Sequence, residues 1–168
     1  MDSTRQKKYI KEFMTKKVVA VNPQTTFVEL MEVFRNFNFH TIPVVDQNKI
    51  LVGVVNFEDI MKVFHPQASL IRLLKTIPSA KKEEEIFSEY LLETEISPED
   101  AQRTLVKDLM NTNYVTVDEE ADIRDAYMLM KLHKLGRLPV THNKILVGFI
   151  TLFDIIVGVL RARGVISE

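Results

Sequence analysis

Apolar residues along the first part of the chain follow a pattern that predicts three strands and two helices. A β-branched run at 18–21 predicts a strand. Apolar residues then recur at helical spacing and predict a helix; they are Phe27, Leu30, Met31, Phe34 and Phe37. Two apolar runs follow, Ile42 to Val45 and Ile50 to Asn56, and the polar loop between them predicts a strand pair. A final helix is predicted from about Phe57 to Phe64, so the order is βαββα.

The same order returns in the second half of the chain. The predicted elements are strands at 114–117, 138–141 and 145–151, a helix with Ile123, Ala126, Tyr127 and Met130 on one face, and a final helix at 152–161. The segment Asn48–Gly53 recurs letter for letter as Asn143–Gly148, and the second hairpin loop is one residue shorter than the first. An identity of this length within a colinear match indicates an internal duplication.

Polar residues at the helix ends support these assignments. Thr26 with Glu29 forms a capping-box pattern at the start of the first long helix. Asp122 is the expected N-cap of its counterpart in the second copy, and Gly136 is the expected C-terminal stop of that helix.

The duplication divides the chain into two repeats, a connector and a tail. Repeat 1 spans 11–64, repeat 2 spans 105–160, and the C-terminal tail is 161–168. The connector, 65–104, contains predicted helices at 68–75 and 81–94, and the second of these carries Ile86, Phe87, Tyr90 and Leu91 on one face. Acidic residues dominate from Glu83 to Asp100. The connector either docks on the core through its apolar face or offers a contact surface to a partner.

Composition narrows the classes of protein that fit. The chain has 168 residues, enough for one compact unit with a buried core, and a net charge of −1 argues against a nucleic-acid partner. The absence of cysteine excludes disulfides, thiolate catalysis and cysteine-based zinc sites. The longest apolar run, Ile145 to Leu160, is short for a bilayer and carries Asp154 in its middle. The N-terminal residues lack an apolar signal-peptide core, so we expect a soluble, cytoplasmic protein without a membrane span.

No pattern of catalytic or metal-binding residues stands out. The four histidines, His40, His65, His133 and His142, show no paired spacing typical of a zinc site, and no serine lies in a nucleophile-elbow context. A P-loop and a G-x-G-x-x-G motif are also missing. We therefore expect no enzymatic activity, no bound metal and no required cofactor.

The duplicated order of strand, helix, x-Pro-Val strand and glycine-led strand-to-helix turn resembles the tandem CBS-domain module. The similarity covers about Lys11 to Leu160 apart from the connector, and its specificity comes from two colinear copies with proline, glycine and aspartate in register. The resemblance implies two βαββα repeats that pack through their sheets with pseudo-twofold symmetry. It also implies two clefts for adenosine-type ligands: AMP, ADP, ATP or S-adenosylmethionine. The strands Ile50 to Val55 and Ile145 to Ile150 are too apolar for one exposed face, which supports facing sheets.

The family's ribose-phosphate motif is a glycine followed at intervals of three by Ser or Thr and then by Asp or Asn. Repeat 2 matches it with Gly148, Thr151 and Asp154, whereas repeat 1 has Asn56 in place of the hydroxyl residue, before Asp59. The resemblance implies that each cleft combines this motif with the stretch before the strand proline of the other repeat. The first site would contain Val19, His40, Thr41, Thr151 and Asp154. The second, weaker site would contain Asn56, Asp59, Val115, Gly136 and Arg137.

The residue types suit this chemistry. A carboxylate such as that of Asp154 accepts hydrogen bonds from both ribose hydroxyls, while the Thr151 hydroxyl and the free N–H groups of a first helical turn can donate to a phosphate. Arg137 can neutralise a phosphate, and apolar residues such as Val19 can sandwich a purine. A purely structural alternative remains, because Thr151-x-x-Asp154 and Asn56-x-x-Asp59 are also good helix starts.

Two functions from different classes fit the sequence. The first is a regulatory module that senses adenine nucleotides and is read by an effector protein in trans. The second is an interaction module with empty clefts that holds a partner through the acidic connector. We also expect a homodimer, because the family commonly pairs modules and because Phe64, Val159 and Leu160 leave apolar residues near helix ends.

Overall fold

The computed structural model describes residues 7–37, 40–64 and 97–167, with side chains described up to residue 60 in the second range. Described elements of the first copy are α1 (Phe27–Phe37), β1 (Thr41–Val45), β2 (Leu51–Asn56) and α2 (Phe57–Phe64). The described end of the connector forms α3 (Pro98–Arg103), and it is followed by α4 (Val106–Leu109), β3 (Val117–Asp118), α5 (Ile123–His133), β4 (Arg137–His142), β5 (Ile145–Thr151) and α6 (Leu152–Ala162). The mixed α/β fold is confirmed. The predicted connector helices at 68–75 and 81–94 lie outside the described residues.

Both hairpins form where the sequence predicts them. β1 pairs with β2 in a two-stranded sheet, and β3, β4 and β5 form a three-stranded sheet in that order. β4 and β5 are antiparallel, with Arg137 opposite Thr151, and β3 runs parallel to β4. The first strand of each copy is shorter than predicted: Val21 makes a single parallel bridge to Val44, and the second copy keeps only β3. A β-branched run favours extended backbone, but ladder hydrogen bonds also require a neighbouring strand.

The predicted helix starts are confirmed, whereas one predicted stop is wrong. The Thr26 hydroxyl donates to Glu29 Oε2 at 2.9 Å, and the Asp122 carboxylate accepts the Arg124 N–H at 2.9 Å. Helix α5 ends at His133, before Gly136, because Lys134 takes the left-handed conformation at φ 55° as its C-cap. An exposed lysine tolerates this conformation at modest cost, so no glycine is needed. Helix α6 continues to Ala162, one residue past its predicted end at 161.

The described chain forms two compact units whose limits differ from those of the repeats. The first unit contains the described parts of 1–20, 45–53 and 112–168, and the second contains those of 21–44 and 54–111. Each repeat therefore gives its leading segment to the unit built mainly from the other repeat. None of the described helices combines the length and the apolar character that a membrane-spanning helix requires.

The core of the first unit includes a residue from far upstream. Ile10 is fully buried in a cluster of second-copy residues: Val117, Ile123, Ala126, Met130, Leu138, Val140, Ile150 and Ile155. Backbone hydrogen bonds hold the same segment, since Ile10 N–H donates to Ala121 O at 3.0 Å and Thr15 exchanges bonds with Phe149 at 2.8 and 2.9 Å. The N-terminal segment that contains Ile10 and Thr15 is thus an integral part of this unit.

The two identical six-residue segments pair with each other in the first unit. Leu51 N–H donates to Lys144 O at 3.0 Å, and Leu146 N–H donates to Lys49 O at 3.0 Å. Ile50 and Ile145 form an antiparallel bridge between these bonds. Each bond has its counterpart at the equivalent position of the other copy, so the two segments are related by a local twofold axis.

The two hairpin loops differ by one residue, as the sequence predicts. In the first loop, Asp46 Oδ1 accepts the N–H groups of Asn48 and Ile50 at 2.8 and 2.9 Å, and Lys49 is left-handed at φ 62°. The second loop is a two-residue turn in which Asn143 and Lys144 have φ of 50° and 69°. Two consecutive positive φ values are characteristic of the tight type I′ turn, which matches strand twist.

The second unit is built from α1, the strands beside it and the segment that follows the connector. Its buried residues include Phe27, Leu30, Phe34, Ile42, Val44, Val55, Ile60, Val106 and Leu109. Residues at the start of the second repeat are tied to it through the backbone: Val106 N–H donates to Thr25 O at 2.8 Å and Asn111 N–H to Val54 O at 2.8 Å. Both units therefore contain a leading segment that is remote in sequence.

Asp122 anchors the N-terminal segment as well as starting α5. Its carboxylate is buried and accepts hydrogen bonds from Lys8 N–H at 3.2 Å and from Arg124 Nε and Nη2 at 2.8 and 2.9 Å. The Arg124 guanidinium holds the pKa of Asp122 well below its usual range. The sequence indicated only the capping role, because Lys8 is too distant for local patterns to reveal.

Gly148 is required by the close approach of the N-terminal segment. A Cβ atom there would lie 2.8 Å from Met14 Sδ and 2.9 Å from Thr15 O. We expect Gly148→Ala to lower the free energy of unfolding by about 1–3 kcal/mol, since backbone at Thr15 must shift. Urea unfolding measures the change. At Gly136 no heavy atom lies within 4 Å of the Cβ position, so Gly136→Ala is the matched control and should change stability by less than about 0.5 kcal/mol.

Asp122→Asn keeps the shape of the side chain and removes its charge. We expect a loss of about 1–3 kcal/mol at pH 7, because the negative charge that attracts Arg124 is removed and one of the two acceptor oxygens becomes an N–H donor group. The folded-state pKa is lowered, so the carboxylate stabilises fully above about pH 4, its unfolded pKa, and this benefit disappears as the pH falls further. Urea unfolding at pH 7 and pH 3 should show the gap between wild type and variant narrowing. Asp118→Asn, at an exposed position, is the control, and a gap equal at both pH values would contradict the prediction.

Candidate functional site

The strand-to-helix turn of the second copy is a reciprocal capping box. Asp154 Oδ2 accepts the Thr151 backbone N–H at 2.8 Å and the Thr151 hydroxyl at 2.7 Å, while Asp154 N–H donates to Thr151 Oγ1 at 3.1 Å. Both side chains are half-buried. The sequence forms this turn because a threonine N-cap and an acidic residue three positions later satisfy each other's backbone donors.

These hydrogen bonds determine which donors and acceptors of Thr151 and Asp154 are left for a ligand. Only Oδ2 of Asp154 is engaged, and no described residue donates to Oδ1, which remains an oriented acceptor. The single hydroxyl proton of Thr151 is already used, so donation to a phosphate, as the sequence suggested, requires that the bond to Asp154 be exchanged.

The equivalent turn of the first copy has a different hydrogen-bond network. Asn56 N–H donates to Asp59 Oδ2 at 2.8 Å, matching the second copy. The Asn56 side chain, however, accepts the Thr41 hydroxyl through Oδ1 at 2.8 Å. Its amide nitrogen, Nδ2, has no acceptor among the described residues. The turn therefore carries an unused donor at Asn56, whereas the hydroxyl of Thr151 in the second copy already donates to Asp154.

The residues before the two strand prolines lie beside these turns in the same way. His40 O accepts Phe57 N–H at 3.0 Å, and Gly136 O accepts Leu152 N–H at 2.9 Å. His40 and Gly136 are exposed, and Arg137 is half-buried opposite Thr151 in the hairpin. Arg137 forms no ion pair with a described carboxylate. Directly opposite residues of antiparallel strands share one face, so Arg137 and Thr151 project to the same side.

The structure groups the predicted residues by hairpin. Thr41 lies with Asn56 in the second unit, and Arg137 lies with Thr151 in the first, although the sequence had assigned the members of each pair to different sites. Val19 and Val115 are half-buried residues of the first unit. Both predicted sites draw on residues of the two units, so their grouping into two ligand sites stays a prediction.

The sequence indicated a second feature of the first unit only through Val159 and Leu160. An apolar groove of about 340 Å³ lies between α5 and α6 and is lined by Ile123, Arg124, Tyr127, Leu152, Ile155, Ile156, Val159 and Leu160. Tyr127, Leu152 and Ile156 are 40–48% exposed, and Phe153 beyond them is 71% exposed. The available signal was the nearly uninterrupted apolar sequence of α6, which has more apolar faces than one core contact can cover.

Comparisons with known proteins agree with the repeat pattern. The family model described as the CBS domain matches residues 10–66 and 106–161. CBS domain-containing protein YhcV of Bacillus subtilis (strain 168) is 28% identical over 149 residues, which is 89% of this chain and 84% of that protein.

Solved structures resemble the fold over nearly the whole chain. CBSX2 in complex with AMP is similar with a TM-score of 0.65 and 24% identity, covering 92% of this chain and 98% of that one. The CBS domain pair of protein MJ0100, in complex with 5′-methylthioadenosine and S-adenosyl-L-methionine, has a TM-score of 0.59 and 16% identity, with coverage of 90% and 99%. At these identities the likeness shows the fold alone.

Proposed function

This chain belongs to the CBS-domain family and carries two copies of the domain, and on that premise we propose that it is a regulatory module that binds adenine nucleotides. The observation that carries the proposal is the Asp154 carboxylate, which is held through one oxygen and presents the other. A fixed acceptor binds better than a mobile one, because less side-chain entropy is lost when the ligand arrives.

Asp154 is the proposed ribose ligand. The 2′ and 3′ hydroxyls donate to Oδ1, while Thr151 continues to hold Oδ2. Arg137, on the same side of the hairpin and without a carboxylate partner in the described chain, is suited to a phosphate. Val19 and Val115 are the proposed apolar contacts of the purine, and His40, Thr41 and Gly136 the proposed polar and backbone contacts. Asn56 and Asp59 form the corresponding ribose end of the weaker site.

Ligands in the related structures support an adenosine-type ligand. AMP, 5′-methylthioadenosine and S-adenosylmethionine share an adenosine unit and differ in charge and in the 5′ substituent. The shared part matches the chemistry of a carboxylate that accepts from ribose hydroxyls. We propose that binding, rather than catalysis, is the activity, that it occurs in the cytoplasm, and that a separate effector protein reads the bound state.

An interaction module with empty nucleotide sites is the second candidate. The exposed apolar groove between α5 and α6 favours it, since contiguous apolar surface commonly marks a protein contact. A thermal-shift screen of AMP, ADP, ATP and S-adenosylmethionine separates the two candidates. Stabilisation by one of them at millimolar concentration supports the sensor, and no shift with any of them supports the interaction module.

We further propose that the module is a homodimer and that a second copy covers the groove. Twofold pairing places the same apolar face of both copies together, which removes side chains such as Phe153 and Ile156 from water. Phe64, which the sequence also pointed to, has a side chain outside the described residues.

Asp154→Ala tests the nucleotide site. We expect at least tenfold weaker AMP binding by calorimetry, roughly 1.5–3 kcal/mol, because a charged acceptor of two hydroxyl bonds is lost. Thr151→Ala should weaken binding less, and Asp59→Ala should also have a smaller effect. Ligand-free melting temperatures control for loss of the helix cap. Equal AMP affinity in wild type and a folded Asp154→Ala variant would show that the ribose assignment is wrong.

Ile156→Glu tests the dimer. Light scattering at micromolar concentration should report dimer mass for wild type and monomer mass for the variant, because a charge buried without a partner is strongly unfavourable. Val165→Glu introduces the same charge at a 64% exposed residue outside the groove and should leave the dimer intact. Monomer mass for wild type would refute the proposal.

A further inference from the structure

A second cavity of the first unit, the Lys8 pocket, lies where the N-terminal segment meets α5 and the end of α6. Its volume is about 370 Å³, and it is lined by Lys8, Asp122, Ile123, Arg124, Val159, Ala162 and Arg163. This volume is within the range of pockets that bind small ligands, roughly 300–1,000 Å³. The pocket adjoins the apolar groove, but Lys8, Ala162 and Arg163 line the pocket and not the groove.

Positive charge exceeds negative charge in the Lys8 pocket. Among the described residues, Asp122 is the one acid that lines it, and Lys8, Arg124 and Arg163 are the basic residues. The buried Asp122 carboxylate already accepts from Arg124 through both oxygens, at 2.8 and 2.9 Å. Arg124 and Asp122 therefore balance each other, and the charges of Lys8 and Arg163 are left over.

The basic side chains keep hydrogen-bond donors for a ligand. Lys8 Nζ and the Arg163 guanidinium form no ion pair with a described carboxylate, and Nη1 of Arg124 has no acceptor in the described chain. Two bonds to Asp122 fix the orientation of Arg124, so little side-chain entropy is lost when a ligand binds. Like charges at one cavity repel each other, and a bound anion removes that cost. The fork of a guanidinium fits carboxylate and phosphate groups.

The remaining side chains of the pocket favour a ligand with an apolar part. Ile123 is buried and Val159 half-buried, and together with Ala162 they contribute only apolar surface to the lining. A small hydrated ion leaves this surface in contact with water, whereas an alkyl chain covers it and gains the free energy of apolar burial. The pocket thus combines donors for an anionic group with a surface for a hydrocarbon.

We infer that the Lys8 pocket binds an amphiphilic organic anion, a carboxylate or phosphate on a short alkyl chain. The three basic residues of the pocket bind the charged group, and its three apolar residues contact the chain. Lys8 belongs to the N-terminal segment, Arg124 to α5, and Arg163 is the C-cap of α6. The bound anion therefore joins three separate parts of the first unit. The inference does not rest on the proposed function, since none of the proposed nucleotide ligands lines this pocket.

Calorimetry with four small probes tests the ligand class. Octanoate and octyl phosphate carry both the anionic group and the chain, acetate lacks the chain, and octan-1-ol lacks the charge. We expect at least one of the two amphiphilic anions to bind wild type at millimolar concentration or below, and the tighter of them identifies the preferred charged group. Acetate and octan-1-ol should bind at least tenfold more weakly.

A pair of double variants tests the location of the site. Lys8→Ala with Arg163→Ala removes two charges from the pocket and keeps the Lys8 backbone N–H that binds Asp122. Lys7→Ala with Arg161→Ala is the matched control, because it removes the same charge from residues that do not line the pocket. The pocket variant should weaken binding of the amphiphilic anion at least tenfold, and the control less than about twofold.

A charge-keeping variant and melting temperatures separate binding from folding. Lys8→Arg with Arg163→Lys keeps both charges and should bind within about threefold of wild type, and all variants should melt like wild type without ligand. The inference is overturned if neither amphiphilic anion binds at millimolar concentration, or if acetate or octan-1-ol binds as tightly as they do. Equal weakening by the pocket and control variants would also overturn it, because the anion would then bind elsewhere.

Discussion

The backbone pairing of the two identical six-residue segments is the interaction on which the first unit depends. Reciprocal bonds join Leu51 to Lys144 and Leu146 to Lys49, each at 3.0 Å, and attach the hairpin tip of one repeat to a strand of the other. Lys49 and Lys144 have left-handed backbone, so the two segments turn at the same position. Because the segments are identical, one local geometry satisfies both, and duplication supplies the complementary surface without a second sequence.

The leading segment of each repeat packs into the unit that is built mainly from the other repeat, and the stability of each core depends on that contact. Ile10 fills a core made by second-copy residues, and Asp122 binds the backbone of Lys8. The absence of a side chain at Gly148 lets Met14 and Thr15 approach that sheet. Neither repeat therefore completes its core alone, and the glycine of the family motif has a packing role that is independent of any ligand.

The two strand-to-helix turns show how one substitution changes a site while the fold is retained. Both turns keep the bond from the backbone N–H of the first residue to the carboxylate three positions later. At this position Thr151 closes the capping box, whereas Asn56 turns to Thr41. Helix initiation is thus preserved in both copies by the carboxylate, and only the hydrogen-bond partner of the first residue's side chain differs.

Local pattern alone determined the element order, the duplication, the helix starts and the shorter second loop, because these depend on residues close together in the chain. It also located Thr151 and Asp154 together. The tertiary structure decided the rest: that Ile10 belongs to the second-copy core, that Asn56 bonds Thr41, and that Asp122 holds Lys8. These outcomes depend on which distant groups compete for the same donor, acceptor or space. Local sequence patterns do not show which groups become neighbours when the chain folds.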